Sequence, residues 1–165
     1  MRLFIAFPLD GQAAEEAFQW ELWLKGRCRQ GSFPPKEHLH VTAAFLGECS
    51  PWQCTQAKEF VSQFSFFPIP IRFFRWECFH RDTYVLRSDA PEADMVVARL
   101  RQGLEALGLP FDRKPFRLHL TLGRHVAFQG QLPPLSISTT FSRLGLFSST
   151  EMQGRRRYAQ LSSTK

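Results

Sequence analysis

The sequence predicts an α+β fold of two similar halves. Each half is expected to be a small antiparallel sheet with helices outside, and the two face one another across a groove. Three observations carry this reading. A His-x-Thr-x element occurs twice in the 165 residues, at 40–43 and at 119–122, so each half of the chain holds one copy, and internal repetition usually reports a repeated unit of structure. Alternating and helical hydrophobic patterns are mixed without the regular strand–helix succession of a doubly wound parallel sheet. No Gly-rich phosphate loop and no G-x-G-x-x-G is present, which disfavours nucleoside-triphosphate and dinucleotide chemistry. The length suits one domain, residues 1–165, made of two interleaved lobes with one motif each. Apolar content of 44%, with 17 Phe, is ample for a core.

Residues 2–7 read as a first strand ended by Pro8. Asp10 is placed to cap a helix over 11–27, with Ala14, Phe18, Leu22 and Trp23 on its inward face. Pro34 and Pro35 make a stiff lead into the first motif. Ser50 followed by Pro51 marks the start of a second helix to about residue 64, with Ala57, Phe60, Val61 and Phe64 inward. Residues 71–79 and 83–87 form a central hairpin around the turn His80, Arg81, Asp82. A third helix runs from about 89 to 107, with Val96, Val97, Leu100, Leu104 and Leu107 at helical spacing and Gly108 after its end. The second motif lies in a strand over 114–124. Strands over 135–139, 141–149 and 155–162 complete the chain, with Met152, Gln153 and Gly154 turning the last pair.

In the second motif Phe116, Leu118, Leu120 and Leu122 alternate with Arg117, His119 and Thr121. Alternation sends the leucines to one face and His119 with Thr121 to the other. His40 and Thr42 repeat this in the first motif. Hydrolysis of an anionic phosphate ester needs one proton removed from water and one delivered to the leaving oxygen, and histidine is the side chain able to do either near neutral pH. The Thr42 and Thr121 hydroxyls and the Arg124 guanidinium are candidates to hold the charged phosphate. Arg124 lies five residues after His119, so a bend or bulge at Gly123 is needed to bring it to the same face. This chemistry calls for no metal or cofactor.

The paired His-x-Thr-x elements, the opening residues 1–7, the Phe45-Leu46-Gly47-Glu48 tail, the run from Arg117 to Arg124 and the turn leading to Tyr158 resemble the two-histidine (2H) phosphoesterase superfamily. Within it they are most similar to its LigT-like branch, the RNA 2′,3′-cyclic phosphodiesterases historically called 2′-5′ RNA ligases. The resemblance implies His40 as proton donor, His119 as proton acceptor and a 2′-phosphomonoester product. Reversible 2′-5′ ligation or cleavage of 2′-5′ linkages at the same site is the alternative activity. A non-catalytic RNA-binding module and a metallohydrolase using His38 and His40 are further rivals. In similar proteins the position of His38 is often Asn.

A net charge of +6 and a pI near 9.5 favour an anionic partner such as RNA. Arg101, Arg113, Lys114, Arg117 and Arg124 are the cations a fold could gather near the second motif. Phe7, Phe45, Phe79, Tyr84 and Phe116 are candidates to stack a base, with core packing as the default for each. Cys28, Cys49, Cys54 and Cys78 show no Cys-x-x-Cys spacing, so they read as free thiols and the protein as a cytoplasmic monomer with no membrane partner.

Overall fold

Strand pairing explains how each motif reaches its place. The computed structural model describes residues 1–165. In chain order it contains β1 (Arg2–Pro8), α1 (Gly11–Lys25), a short 3₁₀ turn (Lys36–His38), β2 (His40–Glu48), α2 (Pro51–Gln63), β3 (Ile69–Phe73), β4 (Arg75–Phe79), β5 (Thr83–Arg87), α3 (Pro91–Ala106), β6 (His119–Gly123), β7 (Ile137–Phe141), β8 (Gly145–Met152) and β9 (Arg155–Ser163). All pairings are antiparallel. One sheet has the order β2-β1-β8-β9, a second β4-β5-β6, and β3 pairs with β7 as a separate ribbon. The first motif is therefore on an edge strand of the four-stranded sheet and the second on an edge strand of the three-stranded one, and β2 and β6 approach each other.

The segment expected as one strand over 71–79 is two. Ile69–Phe73 pairs with β7 and Arg75–Phe79 with β5, so the chain changes sheets at Phe74. Phe73 is fully buried and Phe74 half-buried beneath Arg72 and Arg75. The alternation changes phase there, with Ile71 and Phe73 giving way to Phe74 and Trp76, so the adjacent Phe73 and Phe74 mark the break in the sequence. The hairpin β4–β5 turns through His80 and Arg81, both at positive φ. The strand over 114–124 is also shorter than expected, because only His119–Gly123 is paired.

Burial follows the alternation where it matters. Leu118, Leu120 and Leu122 are buried while His119 and Thr121 are half-exposed. At about 2 kcal/mol for each fully buried leucine, the inward side of β6 fixes the outward direction of His119. On β1, Leu3, Ile5 and Phe7 enter the core, where Phe7 stacks on Phe141 at 4.6 Å. Phe7 is thus a core residue and unavailable to a base.

The helices differ from expectation in detail. Asp10 precedes α1 but makes no side-chain cap; its carboxylate takes Arg143 at 3.0 and 3.1 Å instead. The helix ends at Lys25, and its buried stripe is Ala13, Ala14, Ala17, Glu21 and Leu24, leaving Leu22 exposed. Of the expected inward residues Ala14 is buried, Phe18 packs against the core and Trp23 is half-buried, so only Leu22 departs from the reading. Ser50 caps α2, accepting from the Gln53 backbone while the Gln53 side chain returns to Ser50. In α3 the buried residues are Ala93, Val97, Leu100 and Leu104, with Leu107 exposed at the end. No helix is long and apolar enough to cross a membrane.

Candidate active site

The two motif histidines are held in the same way. His40 Nδ1 lies 2.6 Å from the carbonyl oxygen of His38, and His119 Nδ1 lies 2.5 Å from that of Arg117. A carbonyl oxygen only accepts, so each Nδ1 carries a proton and each neutral ring keeps its lone pair on Nε2. The carbonyl comes from the residue two positions earlier in both copies. His38 sits in the 3₁₀ turn and not on β2. Its ring lies against Tyr158 at 4.5 Å, and no third His, Cys, Asp or Glu joins His38 and His40 in a metal-holding group.

Beyond this shared anchor the surroundings diverge. His40 Nε2 is 3.0 Å from Thr42 Oγ1, whose hydroxyl donates to the neutral ring. Phe4 at 5.1 Å and the edge of Tyr158 at 5.6 Å wall the His40 ring. Burial pushes His40 down to about 4; its bond to the His38 carbonyl opposes this, while Arg124, His38 and His119 add to it. His119 meets the edge of Phe79 at 5.0 Å. Its pKa is also lowered, first by burial and then by Arg87, Arg124 and Arg117 against the bond to the Arg117 carbonyl. Both shifts favour the neutral form of the ring.

Arg124 acts on both histidines, and the way it arrives there is specific. Tyr84 pairs with Gly123 but Val85 with Thr121, so Leu122 is an extra residue in β6. That bulge, one position before the expected bend at Gly123, resets the alternation and returns Arg124 to the face of His119. The backbone of Arg124 is then clasped from outside. Ser32 N donates to Arg124 O at 2.7 Å, and Arg124 N donates to Ser32 O at 2.8 Å. Gly123 permits the close approach: a Cβ there would lie 2.8 Å from the Phe33 ring and 2.9 Å from Val126.

Of the other expected cations only Arg117 stays beside His119, while Arg101 and Arg113 are engaged elsewhere. Arg101 bonds the carbonyls of Ala43 and Lys114, and Arg113 pairs with Glu105. Arg117 and Arg87 share Glu77, each at 3.1 Å. Arg87, directly opposite His119 on β5, was not picked out from sequence, and nothing in its neighbours announces it. Phe4 and Tyr158 are likewise new neighbours of His40, set there by β1 and β9. Of the expected stacking residues, Tyr84 faces Phe128, Phe116 packs on the core, and Phe45 lies under Arg2 at 5.0 Å. Thr121 is half-exposed on the His119 face, while His80 and His125 are exposed. All four cysteines are free.

A pair of outward histidines on adjoining edge strands, with one arginine bearing on both, defines the two-histidine phosphoesterase class. No protein-family model matches the chain. The RNA 2′,3′-cyclic phosphodiesterase of Archaeoglobus fulgidus is 30% identical over 129 residues, covering 75% of this chain and 72% of that protein. Escherichia coli LigT in apo form matches with a TM-score of 0.83 at 23% identity, over 98% of this chain and 95% of that one. Its complex with 3′-AMP matches equally, with a TM-score of 0.83. TT0787 of Thermus thermophilus matches at 0.85 and 22% identity, over 99% and 96%. The chain belongs to the RNA 2′,3′-cyclic phosphodiesterase family and has the fold of LigT.

Proposed function

We propose that this protein hydrolyses RNA or oligonucleotide 2′,3′-cyclic phosphate ends to 2′-phosphomonoesters, with His40 and His119 as the proton-transfer pair. The observation that carries the reading is the duplicated anchor. Each Nδ1 donates to the carbonyl two residues back, which makes Nε2 the atom for chemistry on each ring, that of His40 meeting Thr42 Oγ1, beside one arginine. The name of the A. fulgidus relative and the 3′-AMP complex of E. coli LigT support a substrate of this class.

In the proposed reaction the anionic phosphate binds at Arg124, Thr42 and Thr121. Its negative charge opposes the forces that keep the imidazoles neutral, and His40 gains a proton on Nε2. Water attacks phosphorus as His119 Nε2 takes its proton. The bond from phosphorus to the 3′ oxygen breaks, and that oxygen takes the proton from His40. The products are a 2′-phosphomonoester and a 3′ hydroxyl, with the proton now on His119. We read the two sheets as lobes of one domain, so that the groove between them is the site.

The test is turnover of an oligonucleotide ending in a 2′,3′-cyclic phosphate, in EDTA, by the wild type, His40→Ala and His119→Ala. Each substitution is expected to cost at least about a hundredfold in kcat, since general acid–base catalysis contributes roughly 10²–10⁴. Undiminished turnover in either variant, or a 3′-phosphate product, overturns the assignment.

A further inference from the structure

Resting on the function proposed above, we infer that the groove face of the four-stranded sheet holds the RNA backbone upstream of the reacting end, with Arg2 and Arg156 as its phosphate contacts. A cyclic phosphate terminates a chain, so all remaining nucleotides leave the site on its 5′ side. There are two ways out, and the charges distinguish them. Over the three-stranded sheet, Arg87 and Arg117 are both engaged by Glu77. Over the four-stranded sheet, neither Arg2 nor Arg156 enters an ion pair.

Register puts these two arginines on the face of His40. Pro8 pairs with His40, Ala6 with Thr42 and Phe4 with Phe45, so alternate residues of β1 share that face, Arg2 included. Arg2 pairs with Ser149, Ser149 with Tyr158 and Glu151 with Arg156, which carries the face across β8 to β9. The side chains agree with the register: Phe4 stacks on Phe147 at 5.4 Å and meets Tyr158 at 4.9 Å. Arg156 is two residues beyond Tyr158, about 7 Å further from the site along β9, and Arg2 is on the strand next to β2 but six residues from Pro8, the partner of His40, about 20 Å along β1. An aromatic floor flanked by guanidinium groups outside any ion pair, that of Arg2 resting over Phe45 at 5.0 Å, is the pattern that suits single-stranded RNA, stacking on the rings and pairing with the backbone. Two carboxylates share the face. Glu48 is taken by the N-terminal amine at 3.0 Å, and Glu151 lies opposite Arg156 without an ion pair.

The test compares a hexanucleotide ending in a 2′,3′-cyclic phosphate with a nucleoside 2′,3′-cyclic phosphate, for the wild type and the double variant Arg2→Ala/Arg156→Ala. The double variant is expected to lose about tenfold in kcat/KM on the hexanucleotide and to stay within about twofold on the mononucleotide. The salt dependence of hexanucleotide turnover should become shallower by about 1.4 in log–log slope, at roughly 0.7 per single-strand phosphate. Arg2→Lys/Arg156→Lys should restore most of the loss. Equal loss on both substrates, or no loss on the hexanucleotide, overturns the subsite. If the wild type turned over neither substrate, the parent reading would fall. Anisotropy with a 2′-phosphate-ended hexanucleotide then decides the subsite separately, and affinity unchanged in the double variant overturns it.

Discussion

His40 is expected to make folding stability depend on pH between about 6.5 and 4, and His40→Gln should abolish that dependence. The ring is walled by Phe4 and Tyr158, and burial drives its pKa down to about 4. In the unfolded chain the same imidazole titrates near 6.5. As pH falls through this window the unfolded state takes up a proton that the folded state refuses, so stability falls. At 1.36 kcal/mol per pH unit the loss is about 3 kcal/mol, complete near pH 4. Urea unfolding at a series of pH values from 7.5 to 4 measures it. Other groups titrate in the same range, so the quantity to plot is the stability difference between wild type and His40→Gln. That difference should shift by about 3 kcal/mol against the wild type as pH falls. Saturating inorganic phosphate should shrink the shift, because a bound anion favours the charged ring. Parallel curves for the two proteins would refute the claim that the site desolvates His40.

Glu21 predicts the opposite sign. It is buried in α1, its Oε1 has no hydrogen-bond partner, and burial raises it to about 8 against the opposing charge of Lys25. Its contribution is full below the unfolded value near 4.5 and is lost as pH rises to about 8, so wild type should lose about 4 kcal/mol relative to Glu21→Gln between pH 5 and 8.5 in urea melts. Gly123→Ala should cost about 1–3 kcal/mol through contact with Phe33 and Val126; calorimetry reads it, and adding Phe33→Leu should recover part.

The sequence conveyed side-chain direction at the two motifs better than it conveyed strand order around them. His119 and Thr121 could be read as outward because three buried leucines alternate with them, and the parity problem at Arg124 was visible as a need for an extra residue. The position of that residue was not, since a bulge at Leu122 depends on how Tyr84 and Val85 pair with it. Arg87, Phe4 and Tyr158 reach the histidines only through strand order. Similarly, the break at Phe74 arises because β3 finds β7, more than sixty positions later, while β4 finds β5 nearby. Local patterning carries side-chain direction; it carries no information on which strand will be the neighbour.

That same strand order makes two like motifs unlike. His40 has a hydroxyl on Nε2, aromatic walls and no carboxylate-bound arginine opposite it. His119 faces Arg87, which with Arg117 is held by Glu77. A charge arriving beside a dry group is screened less than one beside a wet group, so the better desolvated imidazole responds more strongly to a bound anion. His40 is then the ring whose proton depends most on the presence of phosphate. In the proposed reaction it is neutral until phosphate arrives and then serves as the acid toward the leaving oxygen. His119, next to two fixed cations, is held toward the neutral form that accepts a proton from water. The division of labour in the proposed reaction thus follows from what packs around each copy, although the copies themselves are the same four-residue pattern.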